Sequence, residues 1–364
     1  MKFKFALPKT IDWLLYLIPV ILVLAGLAVI YSLTYFNGKI SLLYNQIIYA
    51  AIGIVLMVVL TFWDYRNLKG FSIYLYLIGV GLLIFVLFFG KTTLGATRWI
   101  DLGFFQLQPS ELMKIFLVIL VARFLSDRVG QIRFRDIVIV IAMTILPVFL
   151  IAKQPDLGSV AVIAVGAIGV IFASKLSRSQ IFALIGIFII MLPITWFSLK
   201  DYQKQRIYTF LNPASDQYGS GYNVFQSTIT IGNGGLFGRG LGHGAQSQLN
   251  FLPVAHTDFI FAGVAEASGL VGSIVLIIIF IVLILRIVSV AKISKDNFGM
   301  LLAIGFAAIF LFQMVVNIAM NLGIAPVTGI TLPFVSHGGT SLILCFVMIG
   351  ILQSIYLRHK KITF

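Results

Sequence analysis

Three side chains that can hold or move protons stand next to one another at His256, Thr257 and Asp258. A carboxylate beside an imidazole suits general-base chemistry on a hydroxyl group. Asp258 also stands directly before a long apolar run, where an aspartate is a common helix N-cap. The residues alone support these two roles for Asp258 about equally. His256 can orient Asp258, contact a substrate, or simply pack at the root of the preceding loop.

Two charged residues interrupt an apolar segment in the first third of the chain. Glu111 and Lys114 are three residues apart, so a helix would carry both on one face, and Pro109 suits the first turn of that helix. A charged residue inside a membrane segment costs about 2.5–3.5 kcal/mol, so it needs a partner or a function. The two residues can form a structural ion pair, or Lys114 can bind an anionic substrate. Both interpretations stay open here.

Loop residues before and after this segment add further charge. Arg98 can hold a phosphate by two parallel hydrogen bonds, or it can pair with Asp101. Asp156 follows Pro155 and is placed to cap the next helix. Capping would explain Asp156, but it leaves Lys153 without a structural explanation. Arg98 and Lys153 are therefore candidates for binding an anionic group, and Asp156 is a candidate for a supporting position beside them.

A glycine turn precedes the last apolar segment, with Ser336 and Gly338 at its start. Backbone N–H groups at the start of a helix can bind phosphate. Small residues in the same place also allow close helix packing. The pattern supports both interpretations.

The elements that must position these residues are membrane helices. The chain has 364 residues, of which 60% are hydrophobic and 10% charged, whereas soluble domains carry about 25% charged residues. Apolar runs long enough to cross roughly 30 Å of hydrocarbon recur from end to end. Ten such runs are predicted, at 12–33, 45–63, 71–89, 110–124, 136–152, 158–174, 180–199, 258–286, 299–322 and 336–357. We therefore expect an all-α polytopic membrane protein, and no linker divides residues 1–364 into separate domains.

The distribution of basic residues predicts the orientation of these spans. The two ends of the chain and every second loop hold roughly twice as many Lys and Arg residues as the remaining loops. By the positive-inside rule, both termini face the cytoplasm and the loop before Asp258 faces outward. The net charge of +14 is then mainly a topology signal and an attraction to anionic lipids, which gives little support to a nucleic-acid partner.

The loop between the seventh and eighth spans, residues 200–257, is far longer than the other connections. It carries eight Phe and Tyr residues, too many for a solvated linker. Within it, Val224, Thr228 and Ile231 recur at helical spacing and predict a short amphipathic helix. A glycine-rich stretch at 232–244 follows. We expect this extracytoplasmic loop to be ordered and to carry part of the active site.

Five motifs in this order resemble the SEDS family of shape, elongation, division and sporulation proteins. Two further stretches, GYNVFQSTITIGNGGLFGRG and QSQLNFLP, are more similar to the RodA (elongation) branch than to the FtsW (division) branch. The five motifs are GATRWIDLG at 95–103, QPSELMK at 108–114, QPDLGS at 154–159, HTDFIF at 256–261 and NLGIAPVTGITLPFVSHGGTS at 321–341.

The resemblance implies a peptidoglycan glycosyltransferase that polymerises lipid II on the outer face of the bacterial inner (cytoplasmic) membrane during cell elongation. It also implies a class B penicillin-binding protein, a transpeptidase, as partner. The family's essential aspartate corresponds to Asp258, its charged pair to Glu111 and Lys114, and its arginine before tryptophan to Arg98. Three positions depart from the family pattern: Val254 and Ala267 stand where acids are common, and His337 stands where tyrosine is common.

The resemblance and the residues together suggest a mechanism. Asp258 would act as general base on the 4-hydroxyl of one lipid-linked sugar, which attacks the anomeric carbon of another with inversion. Arg98, Lys114 and Lys153 would stabilise the departing undecaprenyl diphosphate. No dense carboxylate cluster requires a metal, although Mg²⁺ or Mn²⁺ could bridge the diphosphate and Asp258 or Glu111. A lipid II flippase and a non-catalytic scaffold for the transpeptidase are the alternatives.

Overall fold

The computed structural model describes residues 11–34, 40–93, 96–101, 103, 105–198, 201–212, 219–244, 251–252 and 254–359. Twelve helices run through this part of the chain. They are α1 (Trp13–Thr34), α2 (Ser41–Phe62), α3 (Asn67–Phe89), α4 (Pro109–Ser126), α5 (Phe134–Lys153), α6 (Leu157–Ala173), α7 (Arg178–Ser198), α8 (Asp201–Leu211), α9 (Ser220–Asn233), α10 (Ile260–Ile293), α11 (Asn297–Asn321) and α12 (Gly339–Leu357).

Ten of these helices correspond to the ten predicted spans. Among the described residues, seven are long and apolar enough to cross a membrane: α1, α2, α3, α5, α10, α11 and α12. Helix α6 is apolar but shorter, at 17 residues. In α7 the apolar segment among the described residues is Arg178–Ile187, which is shorter than α6. Helix α4 has 18 residues and carries Glu111, Lys114 and Arg123. The prediction of an all-α polytopic membrane protein is confirmed.

The charged helix α4 lies inside the bundle, where it packs against α3, α6 and α11. Close approach is possible because glycines face it: a Cβ on Gly305 would lie 2.6 Å from Val118, and one on Gly166 would lie 3.1 Å from the same side chain. Small residues at helix contacts are the usual means of packing helices tightly in membranes. Glu111 and Lys114 are consequently surrounded by protein.

A small antiparallel sheet between α3 and α4 was not predicted. Its strands are β1 (Lys91–Thr93), β2 (Ala96–Asp101) and β3 (Gln106–Leu107), in the order β1-β2-β3. Asp101 pairs with Lys91 at 2.6 Å, so the predicted alternative of an Arg98–Asp101 pair is wrong. Arg98 on β2 is directed elsewhere, as described below.

Helix α10 is broken at Gly269, whose φ of 68° and ψ of −165° are not helical. The glycine-rich turn after α9 fills the break: Leu270 N–H donates to Gly235 O at 2.9 Å, and Gly240 N–H donates to Ala267 O at 3.0 Å. A Cβ on Gly269 would lie 2.3 Å from the Gly238 nitrogen, so only glycine fits there. Backbone groups that the break frees are thereby paired, as a membrane environment requires. Helix α9 confirms the predicted short helix in the long loop.

Candidate active site

The turn before α10 carries His256, Thr257 and Asp258, and each of their main-chain carbonyls accepts a hydrogen bond from another part of the fold. The carbonyl of His256 accepts from the His337 N–H at 2.8 Å. The carbonyl of Thr257 accepts from the Ser336 hydroxyl at 2.6 Å. We call this arrangement the carbonyl clamp. It fixes the backbone of three successive residues, so their side chains project from a rigid support.

Two buried asparagines on α11 complete the carbonyl clamp. Asn317 and Asn321 both donate from Nδ2 to the Asp258 carbonyl, at 2.9 and 3.0 Å. Asn317 Nδ2 also donates to Ile330 O at 2.7 Å, which ties in the segment before α12. Both asparagines are fully buried, so their amide groups can be satisfied only by such contacts.

The segment that carries Ser336 is itself held from two sides. The Ser336 hydroxyl accepts from Leu332 N–H at 2.8 Å while it donates to the turn. Gln46 on α2 donates to the Ser336 carbonyl at 3.1 Å and accepts from the Gly338 N–H at 3.3 Å. A Cβ on Gly339 would lie 2.9 Å from the Tyr49 ring. The N–H of Gly338 is therefore engaged within the protein, and at Gly339 the glycine turn serves close packing against α2.

Asp258 does not cap α10. The N-cap position is Phe259, and no side chain of the same segment caps the helix. The third N–H of the helix, that of Ala262, donates to the Phe259 carbonyl and to Asn321 Oδ1, each at 3.1 Å. Within the described part of the chain, no hydrogen bond to the Asp258 carboxylate is found. The capping role that the sequence left open for Asp258 is excluded.

The electrostatic surroundings of this carboxylate combine burial with two cations. Burial raises the pKa of Asp258 from 3.8 to about 6, and Asp156 adds to the rise, whereas Arg206 and Arg98 oppose it. Carboxylates in apolar sites behave in this way because burial disfavours the charged form. A pKa near neutrality makes Asp258 a stronger base than an ordinary aspartate, and it is still mostly ionised at pH 7.

His256 and His337 form the rim of the same site, with ring centroids 5.6 Å apart in an edge-to-face arrangement. Burial lowers the pKa of His337 to about 4, and the neighbouring His256 lowers it further. His337 is thus neutral across the physiological range. His337 contributes to the carbonyl clamp through its main-chain N–H.

Arg98 lies at the junction of α5 and α6. Its guanidinium donates to Gln154 O at 3.0 Å and to Pro155 O, and it stands 3.9 Å from the Asp156 carboxylate. Asp156 caps α6 as predicted, accepting from the Ser159 N–H at 3.1 Å. The structure therefore brings Arg98 and Asp156 together within electrostatic range of Asp258.

The Glu111–Lys114 pair is a separate buried feature. Lys114 Nζ donates to Glu111 Oε1 at 2.6 Å, and both side chains are almost completely enclosed. Among the charged groups that influence Asp258, neither member of the pair is found. The predicted i, i+3 ion pair is present, and its place is inside the bundle.

Lys153 stays outside this cluster. Its ammonium lies 4.7 Å from the centroid of the Phe149 ring, and Phe149 is half exposed on α5. Arg206 on α8 was not among the predicted site residues. It donates to Val327 O at 3.3 Å and acts electrostatically on Asp258. Arg206 of the long loop is thus a second cation that acts on Asp258, and the role of Lys153 in binding the diphosphate stays a prediction.

The residues that sequence reasoning missed had weak signals. Asn317 and Asn321 are four residues apart in an apolar segment, a spacing that marks a polar stripe inside a bundle. Arg206 shares the enclosed side of α8 with the buried Gln203 and Thr209, at a spacing of three residues. Neither pattern by itself shows that these side chains contact or act on Asp258.

Metal ligation finds no geometric support in the described residues, which hold no group of three or more His, Cys, Asp or Glu side chains that could hold an ion. Val254 adopts a positive φ of 55°. Its carbonyl accepts from the N–H of Thr257 at 3.1 Å. This position contributes to the turn through its backbone.

Comparisons with known proteins agree with this architecture. The sequence profile of the FtsW/RodA/SpoVE cell cycle proteins matches residues 6–361. The peptidoglycan glycosyltransferase MrdB of Escherichia coli K12 is 40% identical over 347 residues, 94% of each chain. A probable peptidoglycan glycosyltransferase FtsW of Geobacter metallireducens is 36% identical over 362 residues, which cover 96% of this chain and 95% of that one.

Solved structures give the same result. A chain from a study of how a peptidoglycan synthase complex coordinates polymerization and crosslinking superimposes with a TM-score of 0.84 at 31% identity, over 96% of this chain and 99% of that one. The rod shape determining protein RodA of Thermus thermophilus superimposes with a TM-score of 0.72 at 30% identity, over 96% and 97% of the two chains. The chain is a multi-pass membrane protein and belongs to the FtsW/RodA/SpoVE family.

Proposed function

We propose that this chain is a peptidoglycan glycosyltransferase that polymerises lipid II into β-1,4-linked glycan strands. The observation that carries the proposal is the Asp258 carboxylate: it is partly buried, free of hydrogen bonds within the described residues, and within electrostatic range of Arg98 and Arg206. An isolated carboxylate in a membrane protein costs folding free energy and therefore indicates a function. The name of the E. coli relative supports the same reaction class.

The chemistry follows from the charges in the site. Asp258 takes the proton of the sugar 4-hydroxyl as its oxygen forms a bond to the anomeric carbon of a second lipid-linked sugar. The bond from that carbon to the diphosphate breaks on the opposite face, and the electron pair leaves with undecaprenyl diphosphate. A single displacement converts an α-linked donor into a β-linked product.

Negative charge accumulates on the departing diphosphate, so preorganised cations are most effective there. Arg98 and Arg206 occupy suitable positions because both act on Asp258 from neighbouring elements. The geometry supports Arg206 in place of Lys153. Lys114, bound to Glu111 inside the bundle, remains a candidate for support of the site from within.

The location and partner belong to the same proposal. Both termini would face the cytoplasm, and the long loop 200–257 would lie on the outer face of the inner membrane. A class B penicillin-binding protein would crosslink the strands that this chain makes. The similarity to a chain from a complex that combines polymerization with crosslinking supports that partnership.

A lipid II flippase is the second candidate, and the break in α10 favours it because transporters commonly contain discontinuous helices. In this chain, however, the glycine-rich turn occupies the break. The charges that act on Asp258 also lie on β2, on α8 and before α6, outside the helices that are long and apolar enough to cross a membrane. Transport alone gives no reason for an unpaired carboxylate beside two arginines.

The test is gel analysis of glycan formed from purified lipid II by the full chain, with and without its transpeptidase, for wild type and Asp258→Asn. Asp101→Asn is the matched control, since it removes an exposed carboxylate three residues from Arg98. We expect polymer from wild type and the control and none from Asp258→Asn. Polymer from Asp258→Asn would refute the role of the base. Lipid II transport by wild type without chain growth would favour the flippase, and the absence of both activities in wild type, even with the transpeptidase present, would favour the scaffold.

A further inference from the structure

Helix α10 begins with a cap that its own segment does not supply. Helix starts leave several N–H groups unpaired, and a side chain just before the helix usually accepts one of them at the second or third position. In α10 that third N–H belongs to Ala262, and its side-chain acceptor is Asn321 Oδ1 from α11, at 3.1 Å. Phe259, at the N-cap position, has no side-chain group that can accept, although its main-chain carbonyl accepts the same Ala262 N–H at 3.1 Å.

Asp258 is the obvious residue for that cap. Aspartate is among the preferred N-cap residues, and Asp258 stands one position before Phe259 at the start of the helix. A carboxylate that caps a helix accepts backbone N–H bonds, which stabilise its charged form and weaken it as a base. A base at this position must be kept away from the N–H groups beside it.

We propose that Asn321 is a positioning residue that caps α10 from the neighbouring helix and so leaves the Asp258 carboxylate free to accept a proton. The inference rests on the proposed function. Asn321 uses both ends of its amide on the same turn: Oδ1 accepts from Ala262, and Nδ2 donates to the Asp258 carbonyl at 3.0 Å. One side chain therefore fixes the main chain of Asp258 and removes the competing partner of its carboxylate.

The charged and titratable groups that face Asp258 determine how the rate of polymerisation depends on pH. They are Arg206 on α8, Arg98 on β2, Asp156 before α6, and the imidazoles of His256 and His337. Asn321 is uncharged and acts only by its hydrogen bonds. A change in the acidic limb of the profile after its substitution thus reports on what the Asp258 carboxylate contacts.

Asn321→Ala is the first variant. Without the amide, the carboxylate can turn to the N–H of Ala262. We expect kcat for lipid II polymerisation to fall about tenfold or more with KM little changed, and the acidic limb to move from near pH 6 toward the ordinary aspartate range near pH 4. Asn321→Leu, which keeps the volume of the side chain, replaces it if Asn321→Ala does not survive purification.

Asn321→Asp is the rescue variant. Its carboxyl group keeps an acceptor for Ala262, so Asp258 stays free and the acidic limb remains at or above about pH 6. Asn297→Ala is the matched control: Asn297 lies at the other end of α11 and also donates to a main-chain carbonyl, that of Ser126, at 3.0 Å. Asn297→Ala should change neither the acidic limb of the pH profile nor the kcat for polymerisation.

A role in stability alone would lower activity in every Asn321 variant with the acidic limb unmoved, and that result would overturn the proposal. So would wild-type activity in Asn321→Ala. The proposed function fails separately, by polymer formation in Asp258→Asn. If Asp258→Asn is inactive and the Asn321 variants behave as wild type, only the present inference falls.

Discussion

Replacing Asp258 by asparagine should abolish polymerisation and at the same time make the protein more stable at neutral pH. The folded pKa of Asp258 is about 6, above the ordinary 3.8, so the folded state binds more protons than the unfolded state between these values. The free energy of unfolding of the wild type therefore falls as the pH rises from about 4 to about 6. Asparagine carries no charge and does not undergo this loss.

The size of the effect follows from the two pKa values. Their separation of roughly two units corresponds to about 3 kcal/mol at 1.36 kcal/mol per unit. With an unfolding entropy of about 2.1 cal/mol/K per residue, that free energy raises the unfolding temperature by about 4 °C at pH 7. The gain should shrink toward zero near pH 4, where the carboxyl is protonated in both states.

Apparent unfolding temperatures of detergent-purified wild type and Asp258→Asn, measured by intrinsic fluorescence from pH 4.5 to 8, test this prediction. Asp127→Asn is a useful control because the hydrogen bond from Lys69 lowers the pKa of Asp127, so its loss should bring no gain. A constant difference between Asp258→Asn and wild type at every pH would refute the reasoning, because burial would then not set the pKa of Asp258.

Two further substitutions test the surroundings of the site. Arg206→Ala should lower polymerisation about tenfold to a hundredfold and move the acidic limb of the pH profile upward, since Arg206 holds the pKa of Asp258 down; Lys204→Ala, on the same helix, should do neither. Gly269→Ala should lower the free energy of unfolding by more than about 1 kcal/mol, because its Cβ would meet backbone at 2.3 Å. The unfolding temperature should fall accordingly. In Gly186→Ala the new Cβ meets open space. The free energy of unfolding of this variant should stay within about 0.5 kcal/mol of wild type.

Features that depend on neighbours along the chain could be predicted from the sequence. Hydropathy located ten helices because each is an apolar run that can be recognised without reference to the others, and among the described residues seven of them are long and apolar enough to cross a membrane. The Asp156 cap and the Glu111–Lys114 pair span three residues each, so helical spacing was enough to find them. The roles of Glu111, Lys114, Arg98 and Asp258 in catalysis stay predictions.

Features that depend on distant parts of the chain could not be predicted. The carbonyl clamp joins residues 59 to 81 positions apart, and no local pattern records such a meeting. The break at Gly269 needs a second glycine-rich segment, with Gly238 31 residues earlier, to fill it. Lys153 and Arg206 are both basic loop residues, and only the fold decides which of them approaches Asp258.

The free energy that the carbonyl clamp contributes to folding is comparable to the free energy that the desolvated Asp258 carboxylate costs. Four hydrogen bonds hold the three carbonyls, from His337, Ser336, Asn317 and Asn321, and at about 1 kcal/mol each they contribute roughly 4 kcal/mol. The unpaired carboxylate costs about 3 kcal/mol by the difference in pKa. Because the bonds engage only the main chain, they offset that cost without pairing the charge. A membrane protein can in this way keep one ionised side chain free at the edge of its bundle while the three main-chain carbonyls of the turn that carries it are satisfied.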